Sequence, residues 1–271
     1  MPLPALNDPQ YLEKQYQDSS NLDARIQIHR RFSINPYGWH PWVFDHLDLP
    51  PRCRILELGC GPAYLWLENL ARIPTGWEIT LSDFSAGMLE QARRNLAGKR
   101  PFQFRVVDAQ SIPCEAASFD AVIANHMLYH VPDRTAAFAE IRRILKPAGR
   151  FYASTVGGRH LTEMGDLIRK FDPALDTWEN FGKAADSFTL ENGAAQLSPW
   201  FPKVRVYRYE DSLKVTEATP LVDYLLSGRG YIPIESQTDF RQFVAREMEV
   251  RGGAIHITKD SGLFVSVGKG E

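Results

Sequence analysis

Gly59 and Gly61 stand directly after the apolar run Arg54-Ile55-Leu56, within Glu57-Leu58-Gly59-Cys60-Gly61-Pro62. Glycine lacks a Cβ and tolerates positive φ, so this pair can turn a strand sharply into a helix with its amides facing a ligand. Pro62 suits the first turn of such a helix, which Tyr64, Leu65, Leu67 and Leu70 would continue and whose dipole start would face the ligand. Asp83 closes the run Trp77-Glu78-Ile79-Thr80-Leu81-Ser82-Asp83, about the separation from the glycines at which an acid bonds ribose hydroxyls. A third acid, Asp108, follows Phe102-Gln103-Phe104-Arg105-Val106-Val107 and could accept from an adenine amino group. The chemistry these residues suit is the holding of a nucleoside-like cofactor. Taken singly, the glycines are equally a tight connection, Asp83 a helix cap and Asp108 a turn residue.

His126 lies just past the run Ala121-Val122-Ile123-Ala124, close to where such a cofactor would sit, and is the candidate catalytic base. Its alternative is a loop histidine bonded to backbone. His126 and His130 share the four-residue spacing of a helical ligand pair, but no third ligand stands out and Pro132 limits the helix, so no metal site is expected. Upstream, the segment from His29 to Trp42 concentrates cations and aromatics. It reads equally as a packed helical cap and as a lid in which His29 or Arg31 meets a cofactor carboxylate.

The elements that would position these groups alternate strand and helix through the middle of the chain, the pattern of a parallel sheet with helices on both faces. Ser85 is placed to cap a helix carrying Ala86, Met88, Leu89, Ala92 and Leu96, with Gly98 as its stop, and Asp133 opens another through Ala137, Ile141, Ile144 and Leu145. Pro147 and Gly149 precede a fifth strand, Arg150 to Thr155. Lys203 to Tyr209 alternates like a strand, and Ile255-His256-Ile257-Thr258 is read as joined to Leu263-Phe264-Val265-Ser266-Val267 by a Lys259-Asp260-Ser261-Gly262 turn, an antiparallel edge. Leu221 to Leu226 and Phe240 to Val250 read as amphipathic helices covering the sheet.

Five ordered segments resemble the class I S-adenosylmethionine-dependent methyltransferases, especially the group that includes ubiquinone and menaquinone biosynthesis methyltransferases. They are Ile55 to Gly61; Leu81 to Ser85 with Met88-Leu89; Val107-Asp108-Ala109; Ser118 to Val122; and Leu145 to Arg150. The resemblance implies a doubly wound, mostly parallel seven-stranded sheet with an antiparallel last strand. It implies S-adenosyl-L-methionine as cofactor, its methionine end at Glu57, Gly59, Cys60 and Gly61. Asp83 would take the ribose, Phe84 and Met88 would flank the adenine, Asp108 and Ala109 would meet its edge, and Asn125 would lie beside the amino group. Where a dinucleotide fingerprint has a third Gly or Ala, this chain has Tyr64, which speaks against NAD.

The 271 residues, 44% of them hydrophobic, suit one large α/β domain. Residues 1–50 are expected to form the N-terminal cap or lid and 51–271 the methyltransferase domain, with 157–200 and 216–250 as substrate-side insertions. A net charge of −2 gives no global pull toward nucleic acid, and the pairs Arg93-Arg94, Lys99-Arg100 and Arg142-Arg143 suit solvated helix faces and ends. Three cysteines without metal or disulfide spacing, no export signal and no run of about 20 apolar residues lead us to expect a cytoplasmic protein that does not span a membrane. The expected acceptor is a small molecule. RNA or protein methylation, non-catalytic cofactor binding and NAD-dependent reduction are the alternatives, and Asn125-His126-Met127-Leu128 lacks the Asn-Pro-Pro-Tyr type of tetrapeptide used by amino-methylating enzymes of nucleic acids and proteins.

Overall fold

The computed structural model describes residues 20–175, 188–227 and 232–268. One sheet holds β1 (Arg52–Leu58), β2 (Gly76–Asp83), β3 (Gln103–Val106), β4 (Phe119–Asn125), β5 (Leu145–Val156), β6 (Lys203–Val215) and β7 (Ile255–Val267). Their order is β3-β2-β1-β4-β5-β7-β6. β1 to β5 pair in parallel, and β7 runs antiparallel to both of its neighbours. The sheet is thus doubly wound with a reversed final strand, as the resemblance implies.

The helices, in chain order, are α1 (Ser20–Phe32), α2 (Trp39–Asp45), α3 (Tyr64–Leu67), α4 (Ala86–Leu96), α5 (Arg134–Ile144), α6 (Thr162–Phe171), α7 (Gly193–Leu197), α8 (Ala218–Leu226) and α9 (Gln237–Val250). Central strands are apolar on both sides, so each face must be covered. Ile55, Ile79, Ile123 and Tyr152 point into a layer with α2, α3 and α4, whereas Leu56, Val122, Phe151 and Phe264 point into one with α5 and residues 188–201. Ser85 Oγ accepts from the Met88 amide at 3.2 Å and an Asp133 carboxylate oxygen from Ala136 at 3.0 Å, caps worth about 1 kcal/mol each.

The helix expected after the glycines is a single turn, α3, starting at Tyr64 rather than Pro62. Ala63, in the left-handed region at φ 63°, sets its start. Asn69 explains its end: the buried side-chain amide donates to the carbonyls of Leu65 and His40 and accepts from Arg72, local bonding that competes with helix continuation. This single turn presents no full helix dipole to a ligand.

The Lys259 to Gly262 turn is also absent, because β7 is one unbroken strand. Its Arg150-facing half pairs with β5, while Ile255 to Asp260 pair only with β6, from Glu210 to Val215. The charges that suggested a turn are met across the ladder: Asp260 accepts from Arg208 at 2.5 Å, and Lys259 donates to Asp211. This β6–β7 extension rises past the carboxyl end of β5 and is covered by α1, α6, α8 and α9, whose Ile28, Met164, Leu221 and Phe240 share one core with its Ile255 and Ile257. Residues 157–200 divide, α6 joining this cap and residues 188–201 joining the sheet core, while 176–187 lie outside the described residues. Residues 1–19 of the expected cap also lie outside them.

Asp211 holds the N-terminal segment to the outer edge of β6. Its carboxylate accepts from Ser33 Oγ at 2.5 Å and the Asn35 amide at 3.1 Å, while Ile34 donates to the Ser212 carbonyl at 2.9 Å. The segment thereby occupies hydrogen-bonding groups that an edge strand would otherwise leave open. The Lys259 and Asp211 side chains are 8% and 0% exposed. Burial would raise the Asp211 pKa, but Lys259 and Ser33 outweigh it and hold the carboxyl below the ordinary range. Removing one partner of a buried pair strands the other charge. Lys259→Ala is therefore expected to cost about 3 kcal/mol in denaturant unfolding, against less than about 1 kcal/mol for Arg54→Ala at the exposed Arg54–Glu78 pair. Equal small losses would contradict this reading of the cap.

Candidate functional site

Parallel pairing brings the ends of β1, β2 and β4 to one edge: Leu58 lies opposite Ser82 and Ala124. There the chain turns through Gly59 and Gly61 at φ 65° and 51°. At Gly59 space matters as well as φ, since a Cβ would lie 2.8 Å from the Met127 Cβ. The Gly61 amide donates to Asp83 Oδ2 at 2.9 Å, the Ser85 amide to Oδ1 at 2.9 Å, and the Cys60 amide to the Ser82 carbonyl at 2.9 Å. Asp83 thus fastens the turn to the start of α4. Burial raises its pKa, opposed by the amides of Ser85, Gly61 and Phe84.

Glu57 is buried beneath the turn, where Trp66 Nε1 donates to its carboxylate at 2.5 Å. Burial pushes its pKa up to about 8, the Trp66 bond opposing and Asp83 adding to the shift. Burial likewise lifts the neighbouring Cys60 thiol well above its ordinary value. Around this seat, Phe84 stands 60% exposed at the rim and Met88 is buried. Asp108, past β3, accepts from the Gln110 amide at 2.9 Å and from its side chain at 3.0 Å, the bonding of a turn, with buried Ala109 beside it.

At the end of β4, Asn125 Oδ1 accepts from Ser154 Oγ and, at 3.3 Å, from Trp39 Nε1. Ser154 Oγ in turn accepts from the His126 amide at 2.9 Å, fixing His126 at φ 54°, a conformation with a cost of order 1–3 kcal/mol for a non-glycine residue. The His126 ring lies 4.9 Å from Trp39, and burial, with His40 and Lys259 nearby, lowers its pKa to about 3. A histidine so shifted is neutral at physiological pH and a weak base.

The N-terminal segment reaches the glycine turn by residues that sequence reasoning passed over. Arg30 and His40 both meet Glu68, at 2.8 and 2.9 Å, and the Arg30 guanidinium lies 4.7 Å from the centre of the Tyr64 ring. Burial raises the Glu68 pKa, but His40 and Arg30 more than offset it. Arg31 instead pairs with Glu217 at 2.5 Å, and His29 packs between His160 and Tyr224 beneath the cap. Trp39 and Ser154 were also missed. Trp39 belonged to a readable aromatic segment, but nothing local marks Ser154, which acts only because β5 lies beside β4.

A family model described as a methyltransferase domain matches residues 56–153. The chain is 36% identical over 117 residues to a ubiquinone biosynthesis O-methyltransferase of Xanthomonas oryzae pv. oryzae, covering 42% of this chain and 47% of that protein. It is 31% identical over 115 residues to a demethylmenaquinone methyltransferase of Desulfitobacterium hafniense, covering 41% and 46%. Each match thus spans less than half of the curated relative's length. Among solved structures, a Haemonchus contortus phosphoethanolamine N-methyltransferase 2, in complex with phosphomonomethylethanolamine and S-adenosylhomocysteine, superposes with a TM-score of 0.60 at 17% identity, over 99% of this chain and 61% of that one. That likeness carries the fold.

Glu57 makes a signed pH prediction. Folded, it keeps its proton up to pH about 8, whereas the unfolded chain releases it near 4.5. The folded state holds more protons between these values, so stability falls as pH rises through that window, by about 1.4 kcal/mol per unit of separation at most. In thermal unfolding across this range, Glu57→Gln should flatten the decline. A slope as steep as in the parent chain would remove Glu57 as its source.

Proposed function

We propose that the chain is a class I S-adenosylmethionine-dependent methyltransferase that transfers a methyl group to an oxygen of a small molecule. The observation carrying this reading is the glycine turn tied to Asp83 at the carboxyl edge of adjacent parallel strands. A cradle without side chains, a buried carboxylate and an exposed aromatic at its rim fit a nucleoside carrying an amino-acid tail. Glu57, Gly59, Cys60 and Gly61 take the methionine end, Asp83 the ribose hydroxyls, Phe84 and Met88 the faces of the adenine, and Asp108 with Ala109 its edge. Asn125 takes the amino group, which requires Trp39 to release the amide oxygen it now bonds. When bound, S-adenosylmethionine supplies a methyl group made electrophilic by its sulfonium. The chain's own part is to align acceptor with donor and exclude water, for which Trp39 and the segment tied to Glu68 are placed. Arg31 stands at the outer rim on Glu217, and His126 serves as a wall of the acceptor side more readily than as a base.

Oxygen as the accepting atom rests on the similarity to the ubiquinone biosynthesis O-methyltransferase. The net charge of −2 favours a small molecule over nucleic acid. Among the described residues no helix is long and apolar enough to cross a membrane, and the unpaired thiols of Cys53, Cys60 and Cys114 suit the reducing cytoplasm. Calorimetry is expected to show 1:1 binding of S-adenosylmethionine and S-adenosylhomocysteine, with Asp83→Asn weakening both about tenfold or more through loss of charged hydrogen bonds. Melting shifts from NAD that exceed those from S-adenosylmethionine would overturn the proposal.

A further inference from the structure

Beneath the cap lies a cluster that the donor seat does not use. His29 from α1 and His160 before α6 pack ring against ring, and His126 after β4 and Lys259 of β7 lie close enough to act electrostatically on both. The rings of His29 and His160 stack at 6.4 Å, and Tyr224 of α8 meets His29 edge-on at 6.1 Å. His160 Nδ1 accepts the Asp260 amide at 3.1 Å, which puts its proton on Nε2 and makes that atom a donor. His29 Nδ1 is buried, and among the described residues it has no hydrogen-bond partner. An orphaned buried nitrogen of this kind asks for an explanation.

The charges around His29 say what would satisfy it. Burial lowers its pKa to about 3, followed by the cation of Lys259, while Asp211 acts the other way and His126 adds to the lowering. Lys259 lowers His126 and His160 as well. Lys259 thus places a positive charge close to the imidazoles, which favours an anion bound beside them. Nearby carboxylates are already engaged: Asp211 with Lys259, Ser33 and Asn35, Asp260 with Arg208, and Glu163 with the Thr258 amide at 2.9 Å. Among the described residues no set of His, Cys, Asp and Glu side chains is arranged to hold a metal ion, so imidazole itself is the recognising group.

We infer that this cluster binds the acceptor through an ionised oxygen, a carboxylate, enolate or acidic phenolate, held at His29 with a proton taken up from solvent as it binds. The inference rests on the methyltransferase reading and adds the charge of the acceptor. The proton balance is closed: one proton from solvent goes to His29 on binding and returns to solvent when the ligand leaves. Geometry joins the two sites, since His126 follows Asn125 directly.

The test uses the full chain saturated with S-adenosylhomocysteine, with benzoate as the anionic probe and benzamide as its neutral match. Benzoate should raise the melting temperature and bind at least about tenfold more tightly than benzamide. Calorimetry in phosphate and Tris buffers at neutral pH should show uptake of close to one proton per benzoate. His29→Gln should abolish both the uptake and the preference while leaving S-adenosylhomocysteine affinity unchanged. Equal shifts from the two probes, none from either, or binding without proton uptake would overturn the inference, and the wild-type comparison holds even if the variant fails to fold. Failure to bind S-adenosylhomocysteine would instead bring down the methyltransferase reading itself.

Discussion

Two strands that outrun their sheet govern much of this molecule. β5 stops pairing with β7 at Val156, and β6 and β7 continue as a two-stranded ladder to Val215 and Ile255. A bare two-stranded ribbon is marginal in water, so the extension must be covered. α1, α6, α8 and α9 cover it with apolar side chains, and the N-terminal segment covers its outer edge. The cap, the tie of residues 33–35 to Asp211 and the histidine cluster are all consequences of that ladder.

Burial then sets the chemistry of the two regions beneath. On the donor side it raises the pKa of the acids Glu57 and Asp83, opposed at Asp83 by the amides of the turn itself. On the cap side it lowers histidines, with Lys259 adding to the effect. The Asn125–Ser154–Trp39 bonds lie between them and connect the turn to the segment that overlies it.

What the sequence made legible is what local chemistry decides. Gly59 and Gly61 require a special backbone, Ser85 and Asp133 are good caps, and apolar runs with acids at their ends declare parallel strands; all stand where expected. The errors have equally physical causes. Lys259-Asp260-Ser261-Gly262 has turn composition, yet Asp211 and Arg208, far away in the chain, neutralise it within a strand. Asn69 ends α3 by side-chain bonds that apolar spacing does not register. The cluster of His29, His126, His160 and Lys259 spans most of the chain, and no local pattern could assemble it.

The central claim is that the turn fastened by Asp83 seats the donor. The most direct measurement is a crystal structure of the chain with S-adenosylhomocysteine. The account predicts the homocysteine tail against Gly59 to Gly61, both ribose hydroxyls within hydrogen-bonding distance of Asp83, and Trp39 withdrawn from Asn125. A ligand bound elsewhere, or a ribose that makes no contact with Asp83, would contradict it.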